Sequence, residues 1–209
     1  MQVPPAPDSA GLVFGDRLEL AQRYVTHLAT SGIERGLVGP REVPRLWERH
    51  VLNCAVVEEF IATGSLVADV GSGAGLPGLC LAIARPDLTV VLIEPLERRV
   101  RWLEEVVEDL GLSESVFVLR SRGEQAVDEV DADVVTARAV SSLDKLIRLT
   151  IPLLHGQGEL LALKGRSAQE EVDKAAKAIR SMGGRSAEVL QAGSTVLEEV
   201  TTVVRVVVG

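Results

Sequence analysis

A chain of 209 residues, 46% of them hydrophobic, is sized for one domain with a substantial core. Aromatic residues make up only 3%, so that core is expected to be aliphatic. The net charge of −8 excludes indiscriminate binding to nucleic acid while leaving room for a local basic patch, and no apolar run approaches the ~20 residues of a membrane span.

Residues 1–13, opening "MQVPPAPDSAG", are proline-rich and lack the basic and apolar regions of a signal peptide. They read as a disordered lead-in to a single domain over 14–209. Phe14, Leu18, Ala21, Val25 and Leu28 recur at helical spacing and predict an amphipathic helix over 14–30. "SGIERGLVGPREVP" then breaks the pattern with glycine and proline, and a second helix is expected from about Arg45 to Phe60. Together these form a helical extension, 14–62, ahead of a core at 63–209. Cys54 and Cys80 read as reduced core thiols of a cytosolic protein. His27, His50 and His155 lack metal-ligand spacing, so no metal site is predicted.

From Ser65 the rhythm becomes strand, turn, helix, repeated. Strands are predicted at 66–70, 89–94, 115–119, 133–137 and 159–163, with helices at 77–84, 97–110, 142–153 and 167–182. This alternation predicts an α/β fold with a parallel sheet covered on both faces. Segments 186–191 and 200–208 follow without a convincing helix and predict an antiparallel pair finishing the sheet. In such sheets a ligand sits at the carboxyl ends of the strands. Those ends are Gly71 to Gly75, Glu94, Arg120 to Glu124, Arg138 and Lys164.

The densest of these is "VADVGSGAGLPG", Val67 to Gly78, a strand running into a glycine turn with Pro77 near the start of a helix. Glycines admit positive φ and let a ligand approach the backbone without meeting a Cβ. Two ligands compete. Gly73-Ala-Gly75-Leu-Pro-Gly78 fits the dinucleotide fingerprint. Asp69-Val-Gly71-Ser-Gly73-Ala-Gly75 fits the acid-x-G-x-G-x-G pattern of enzymes using S-adenosylmethionine. Charge favours the second reading. A carboxylate at Asp69 opposes an anionic pyrophosphate, whereas an ammonium and a sulfonium are attracted to it. Glu94 ends the next strand, where an acid accepts hydrogen bonds from ribose hydroxyls of either cofactor.

Four stretches, "VADVGSGAGLPGLCLAIARPDLTVVLIEPLERRVRWLEEVVEDLGL", "RSRGEQA", "TARAVSSLDKLIRLTIPLL" and "LLALKG", together with "LWERHVLN", resemble the bacterial small-subunit rRNA methyltransferase G family, also called glucose-inhibited division protein B. The resemblance covers roughly Arg45 to Glu171. It implies a Rossmann-like class I methyltransferase sheet with an antiparallel C-terminal strand and an N-terminal helical extension. It also implies methyl transfer from S-adenosylmethionine to N7 of one guanine in the decoding-region hairpin of 16S rRNA. Carried over by motif, Gly71 and Leu76 hold the cofactor in the first turn, Glu94 is the ribose acid, Gly123 and Glu124 frame the adenine, and Arg138 follows the fourth strand. The expected cofactor set is thus Asp69, Gly71, Gly73, Gly75, Leu76, Glu94, Gly123, Glu124 and Arg138.

The chain departs from the family pattern in three places. The W-N-x-x-x-N-L-T stretch before the histidine is altered, Asn53 replaces an aspartate, and "LEEVTTVV" lacks a basic residue before the last strand, a gap that Arg205 could fill. Guanine N7 carries a free lone pair, so the reaction needs no general base and no catalytic nucleophile is assigned. Substrate positioning is expected from Arg122, Arg138 and Lys164. His50 is read as a structural link between extension and sheet, and Trp47 and Trp102 as packing anchors. The expected partner is 16S rRNA, within the 30S subunit or an assembly intermediate, for a cytoplasmic monomer that binds no membrane. A methyltransferase with another substrate, an NAD-dependent oxidoreductase and a non-catalytic nucleotide-binding module stay open as alternatives.

Overall fold

A computed structural model describes residues 3–138 and 141–209. Seven strands form one sheet: β1 (Leu66–Val70), β2 (Thr89–Ile93), β3 (Val116–Leu119), β4 (Val134–Arg138), β5 (Gly158–Leu163), β6 (Gly184–Ala192) and β7 (Thr201–Val208). Their order is β3-β2-β1-β4-β5-β7-β6. The first five are parallel, and β7 runs antiparallel between β5 and β6. The predicted strands match closely because the aliphatic runs of β1, β2, β4 and β5 are largely buried, as strands covered by helices on both faces require. The strand order reverses between β1 and β4, which opens a crevice at their carboxyl ends.

Before the sheet come α1 (Asp8–Phe14), α2 (Leu18–Ala29), α3 (Ser31–Glu34) and α4 (Asn53–Ala55). After β1 follow α5 (Gly78–Ala84), α6 (Glu97–Asp109), α7 (Leu143–Thr150) and α8 (Ala168–Ser181). Helix α6 shows why these segments coil. Val100, Leu103, Val106 and Val107 recur at helical spacing and are all buried, while its charged residues other than Arg99 face outward. One apolar cluster joins the extension to α5, α6 and one face of the sheet, and a second lies under α7 and α8 on the other face.

Two expectations are corrected here. The lead-in expected over 1–13 is helical from Asp8, with Ala10 and Phe14 buried, and the Trp47 indole donates to the Pro4 carbonyl at 3.1 Å. Composition alone hides this, because the order comes from docking onto distant residues. The single helix expected over 45–60 is a rod of changing winding: 3-10 at Pro40–Arg45, a wide π-type turn at Leu46–Leu52, α4, then 3-10 at Val56–Phe60. A π-type turn loosens the local hydrogen-bond ladder, and here the Arg138 guanidinium supplies donors to the Arg49 and His50 carbonyls.

The extension is therefore part of the core. Leu28 on α2 is fully buried in the cluster it shares with α5 and β2. Leu28→Ala should lower stability by about 3 kcal/mol, with extension and sheet still unfolding in one transition. Calorimetry resolving a separate early transition for the extension would contradict this.

Candidate active site

The crevice at the carboxyl ends of β1 and β4 is built on the glycine turn. Gly71, Gly73 and Gly75 all take positive φ, at 75°, 58° and 84°. Their reasons differ. A Cβ on Gly75 would collide with the Leu79 side chain, and one on Gly78 would lie 2.8 Å from Asp69 Oδ2, so these two glycines serve packing. A Cβ on Gly73 would meet nothing nearer than the Gly71 carbonyl at 3.8 Å, so packing does not demand glycine here; its positive φ does. Gly71, Gly73 and Leu76 are the partly accessible residues of a turn that is otherwise buried.

Asp69 lies mid-sheet, paired in register with Leu92 and Thr136, and is 0% exposed. Its Oδ2 accepts from the Gly78 N–H at 3.0 Å and its Oδ1 from the Thr136 hydroxyl at 3.4 Å. A carboxylate thus occupies the backbone donor at the start of α5. That is where a dinucleotide fold places its pyrophosphate, so the dinucleotide reading loses its anion site. Asp69 does not face the crevice directly; it shapes the turn from beneath. Burial pushes its pKa up to about 7, against the lowering effect of the hydrogen bonds from Gly78, Ser72 and Thr136.

Glu94, just past β2, is 1% exposed. Its Oε2 accepts from the Gly73 N–H at 3.0 Å and its Oε1 from the Leu96 N–H at 3.0 Å. Each oxygen keeps a lone pair for a further donor, so the carboxylate can order the glycine turn and still accept from a vicinal diol. Arg99, read from sequence only as part of a solvated helix face, reaches back to within 3.5 Å of Glu94 Oε2. Its Nε is buried without a partner among the described residues.

Past β3, Gly123 is buried, where a Cβ would lie 3.0 Å from Val70 and 3.1 Å from the Leu149 carbonyl. It lets the chain cross close to the end of β1. Glu124 and Arg122 flank it and are exposed at the rim of the crevice.

Arg138 ends β4, but its donors turn toward the extension. They reach the Arg49 and His50 carbonyls at 3.4 Å, His50 Nδ1 at 2.6 Å and Cys54 Sγ at 3.1 Å. With Nδ1 accepting, the His50 proton sits on Nε2 and is donated to Glu42 at 2.8 Å. Burial and the neighbouring Arg138 cation hold His50 below the ordinary imidazole range. Arg138, placed by sequence on substrate and cofactor, is thus a brace between sheet and extension, and His50 is its structural partner.

Lys164 needs a similar correction. Its Nζ donates to the Ser141 carbonyl at 2.8 Å and to Glu171 at 2.9 Å, and its side chain is only 10% exposed. It ties the loop after β4 to α8, and no phosphate competes easily for a cation so held. Arg205, suggested as a substitute contact, is clamped between Glu159 and Glu188 on the sheet. No three His, Cys, Asp or Glu side chains group as a metal site among the described residues.

Sequence reasoning missed Tyr24. From α2 its buried hydroxyl donates to the Ala74 carbonyl at 2.6 Å, holding the glycine turn from the extension side. Arg17 caps the far end of α5 through the Ile83 carbonyl at 2.6 Å. The only sequence signal for Tyr24 was its being the one tyrosine in an aromatic-poor chain.

A buried acid whose pKa is raised binds a proton more readily folded than unfolded. Its contribution is complete below the unfolded value of about 4 and is lost as pH rises through about 7. Asp69→Asn should remove that loss, so the variant's stability should fall less than the parent's across this window. Denaturant midpoints measured at a series of pH values check it, and parallel curves would count against it.

Comparison with known proteins agrees with this geometry. Residues 17–199 match the family model GidB, described as rRNA small subunit methyltransferase G. A protein of Renibacterium salmoninarum named ribosomal RNA small subunit methyltransferase G is 74% identical over 201 residues, covering 96% of this chain and 94% of its own. One of the same name from Streptomyces avermitilis is 54% identical, covering 100% of this chain and 87% of its own. Among solved structures, a SAM-dependent methyltransferase from Aquifex aeolicus superposes with a TM-score of 0.58 at 20% identity, covering 86% of this chain and 98% of its own. A structure of M. jannaschii TYW2 with AdoMet gives 0.56 at 19% identity, covering 78% and 76%. These two likenesses support the Rossmann-like methyltransferase sheet. On the family match and the full-length identity, the chain belongs to the GidB family, the rRNA small subunit methyltransferases G.

Proposed function

We propose that this chain transfers the methyl group of S-adenosylmethionine to N7 of a guanine in the decoding-region hairpin of 16S rRNA. The observation that carries the donor assignment is the glycine turn itself. A partly accessible Gly73 donates its N–H to a buried Glu94, while the Asp69 carboxylate fills the helix start that an anionic cofactor would need. The family match supports the rRNA acceptor.

S-adenosylmethionine supplies an electrophilic methyl on a sulfonium, so the new bond to N7 forms as the carbon–sulfur bond breaks and positive charge passes to the purine with no proton released. The protein's task is therefore placement. Gly71, Gly73 and Leu76 would line the donor, with Gly75 shaping the turn behind them, Glu94 accepting from the ribose and Gly123 and Glu124 beside the adenine. Asp69 and Glu94 supply negative potential under a site whose ligand is cationic, and burial strengthens that field. No side chain is asked to act as base or nucleophile; rate comes from alignment of the acceptor lone pair with the scissile bond. Arg122, exposed at the crevice rim, is left to meet the RNA. Arg138 and Lys164 act through the elements they brace.

We further place the activity in the cytoplasm, on the 30S subunit or an assembly intermediate, by a monomer working as one domain. No helix among the described residues is long and apolar enough to cross a membrane.

The deciding test is methylation of unmodified 30S particles with labelled donor, the labelled position being mapped by N7-sensitive cleavage. Label at a decoding-region guanine is the expected result; label on a small molecule or protein but on no RNA would favour a methyltransferase with another substrate. For the donor site, Glu94→Ala should weaken S-adenosylmethionine binding by about 100-fold in calorimetry, because two backbone donors and the ribose lose their acceptor. Arg122→Ala should leave donor affinity within a factor of about two while raising KM for 30S particles several-fold. Equal losses in both would move Arg122 to the donor.

A further inference from the structure

Beside the crevice, at the carboxyl ends of β4 and β5, lies a cavity of about 980 Å³. It falls at the upper end of the about 300–1,000 Å³ usual for ligand sites. Arg45 and Arg49 from the helical rod and Arg166 just past β5 line it, together with Arg138 at the end of β4. Among the described residues Arg45, Arg49 and Arg166 form no ion pair, a property they share with exposed arginines such as Arg41, Arg180 and Arg185, but these three meet at one cavity. Arginines left without partners are free to fork onto an oxyanion.

Asp8, Glu48, Glu198 and Glu199 also line the space, Glu48 from the same rod as Arg45 and Arg49. A uniformly basic cleft would hold any polyanion anywhere, whereas in this mixed lining only the arginines offer contacts to an anionic group. The Arg138 brace ties the rod carrying Arg45 and Arg49 to the strand end beside Arg166, and so fixes the spacing of those arginines. The net charge of −8 does not cancel such a patch, because charges farther than about 8 Å are largely screened at physiological ionic strength.

We propose that this cavity seats the phosphate backbone of the RNA next to the target guanine, with Arg45, Arg49 and Arg166 as its phosphate contacts. The proposal rests on the rRNA acceptor argued above and adds the surface that holds it. Position favours this occupant. The cavity lies on the β4–β5 side of the switch point, with Glu94 and the start of α6 on the β2 side. A base turned out of its stack and entering from the cavity side would carry its flanking phosphates over the rod.

The test uses the full chain in two independent variants, Arg45→Ala/Arg49→Ala on the rod and Arg166→Ala past β5. Lys177→Ala, an exposed cation on the outer part of α8, is the control for loss of charge alone. Each is assayed for donor affinity by calorimetry, and for KM and kcat on unmodified 30S particles at several salt concentrations. The rod variant should raise KM about tenfold, with kcat and donor affinity nearly unchanged and the salt dependence of KM shallower by about one to two in log–log slope. Arg166→Ala should change KM several-fold in the same manner, and Lys177→Ala should change nothing. Unchanged KM and salt slope in both cavity variants, with the parent enzyme active on 30S particles, would overturn the cavity assignment and leave the function standing. A parent enzyme that binds donor but methylates no rRNA would overturn both.

Discussion

The buried hydrogen bond from the Gly78 N–H to the Asp69 carboxylate is the constraint on which the site depends. It joins the middle of β1 to the first residue of α5, and so fixes how sharply the chain must bend between them. Only a residue without a side chain fits at Gly78, because a Cβ there would press on Asp69 and Leu92 together. With that end of the turn fixed, Gly71, Gly73 and Gly75 take up the bend with positive φ, and Glu94 catches the Gly73 N–H from the neighbouring strand. The electrostatic consequence follows from the same bond. An acid at the helix start makes the turn a poor host for phosphate and a good one for a cation.

A second constraint comes from outside the sheet. Tyr24 holds the Ala74 carbonyl, Arg17 caps α5, and Arg138 joins the end of β4 to the π-type turn of the rod. The glycine turn is thus held from beneath by Asp69 and from the side by the extension. Arg138, half-buried with its donors committed to backbone, imidazole and thiol, keeps two elements at a fixed separation. Such a cation is expensive to bury, and its value lies in placement.

This division of labour explains how an acidic protein can act on RNA. Many acids and arginines satisfy one another over the outer surface, as in the Arg85–Asp87 and Arg23–Asp109 pairs. Unpaired arginines are left beside the crevice. Recognition by a few local cations, rather than by net charge, suits an enzyme that must find one site and leave again.

Much of this was legible in the chain alone. The interior strands were readable because their largely buried aliphatic runs allow few alternatives, and the glycine turn because its backbone angles demand those glycines at that spacing. Glu94 was readable because it ends the strand next to that turn. What the chain could not show is which partner each polar side chain chooses. Arg138, Lys164 and Arg122 look equivalent as basic residues at strand ends, yet the first faces the rod, the second faces Glu171 and only the third faces open solvent. The order of Asp8–Phe14, the changing winding of the rod and the role of Tyr24 were equally hidden. Periodicity and turn chemistry are local, so sequence determines them. The direction of a long polar side chain is set by contacts between residues tens of positions apart, and only the folded chain decides those.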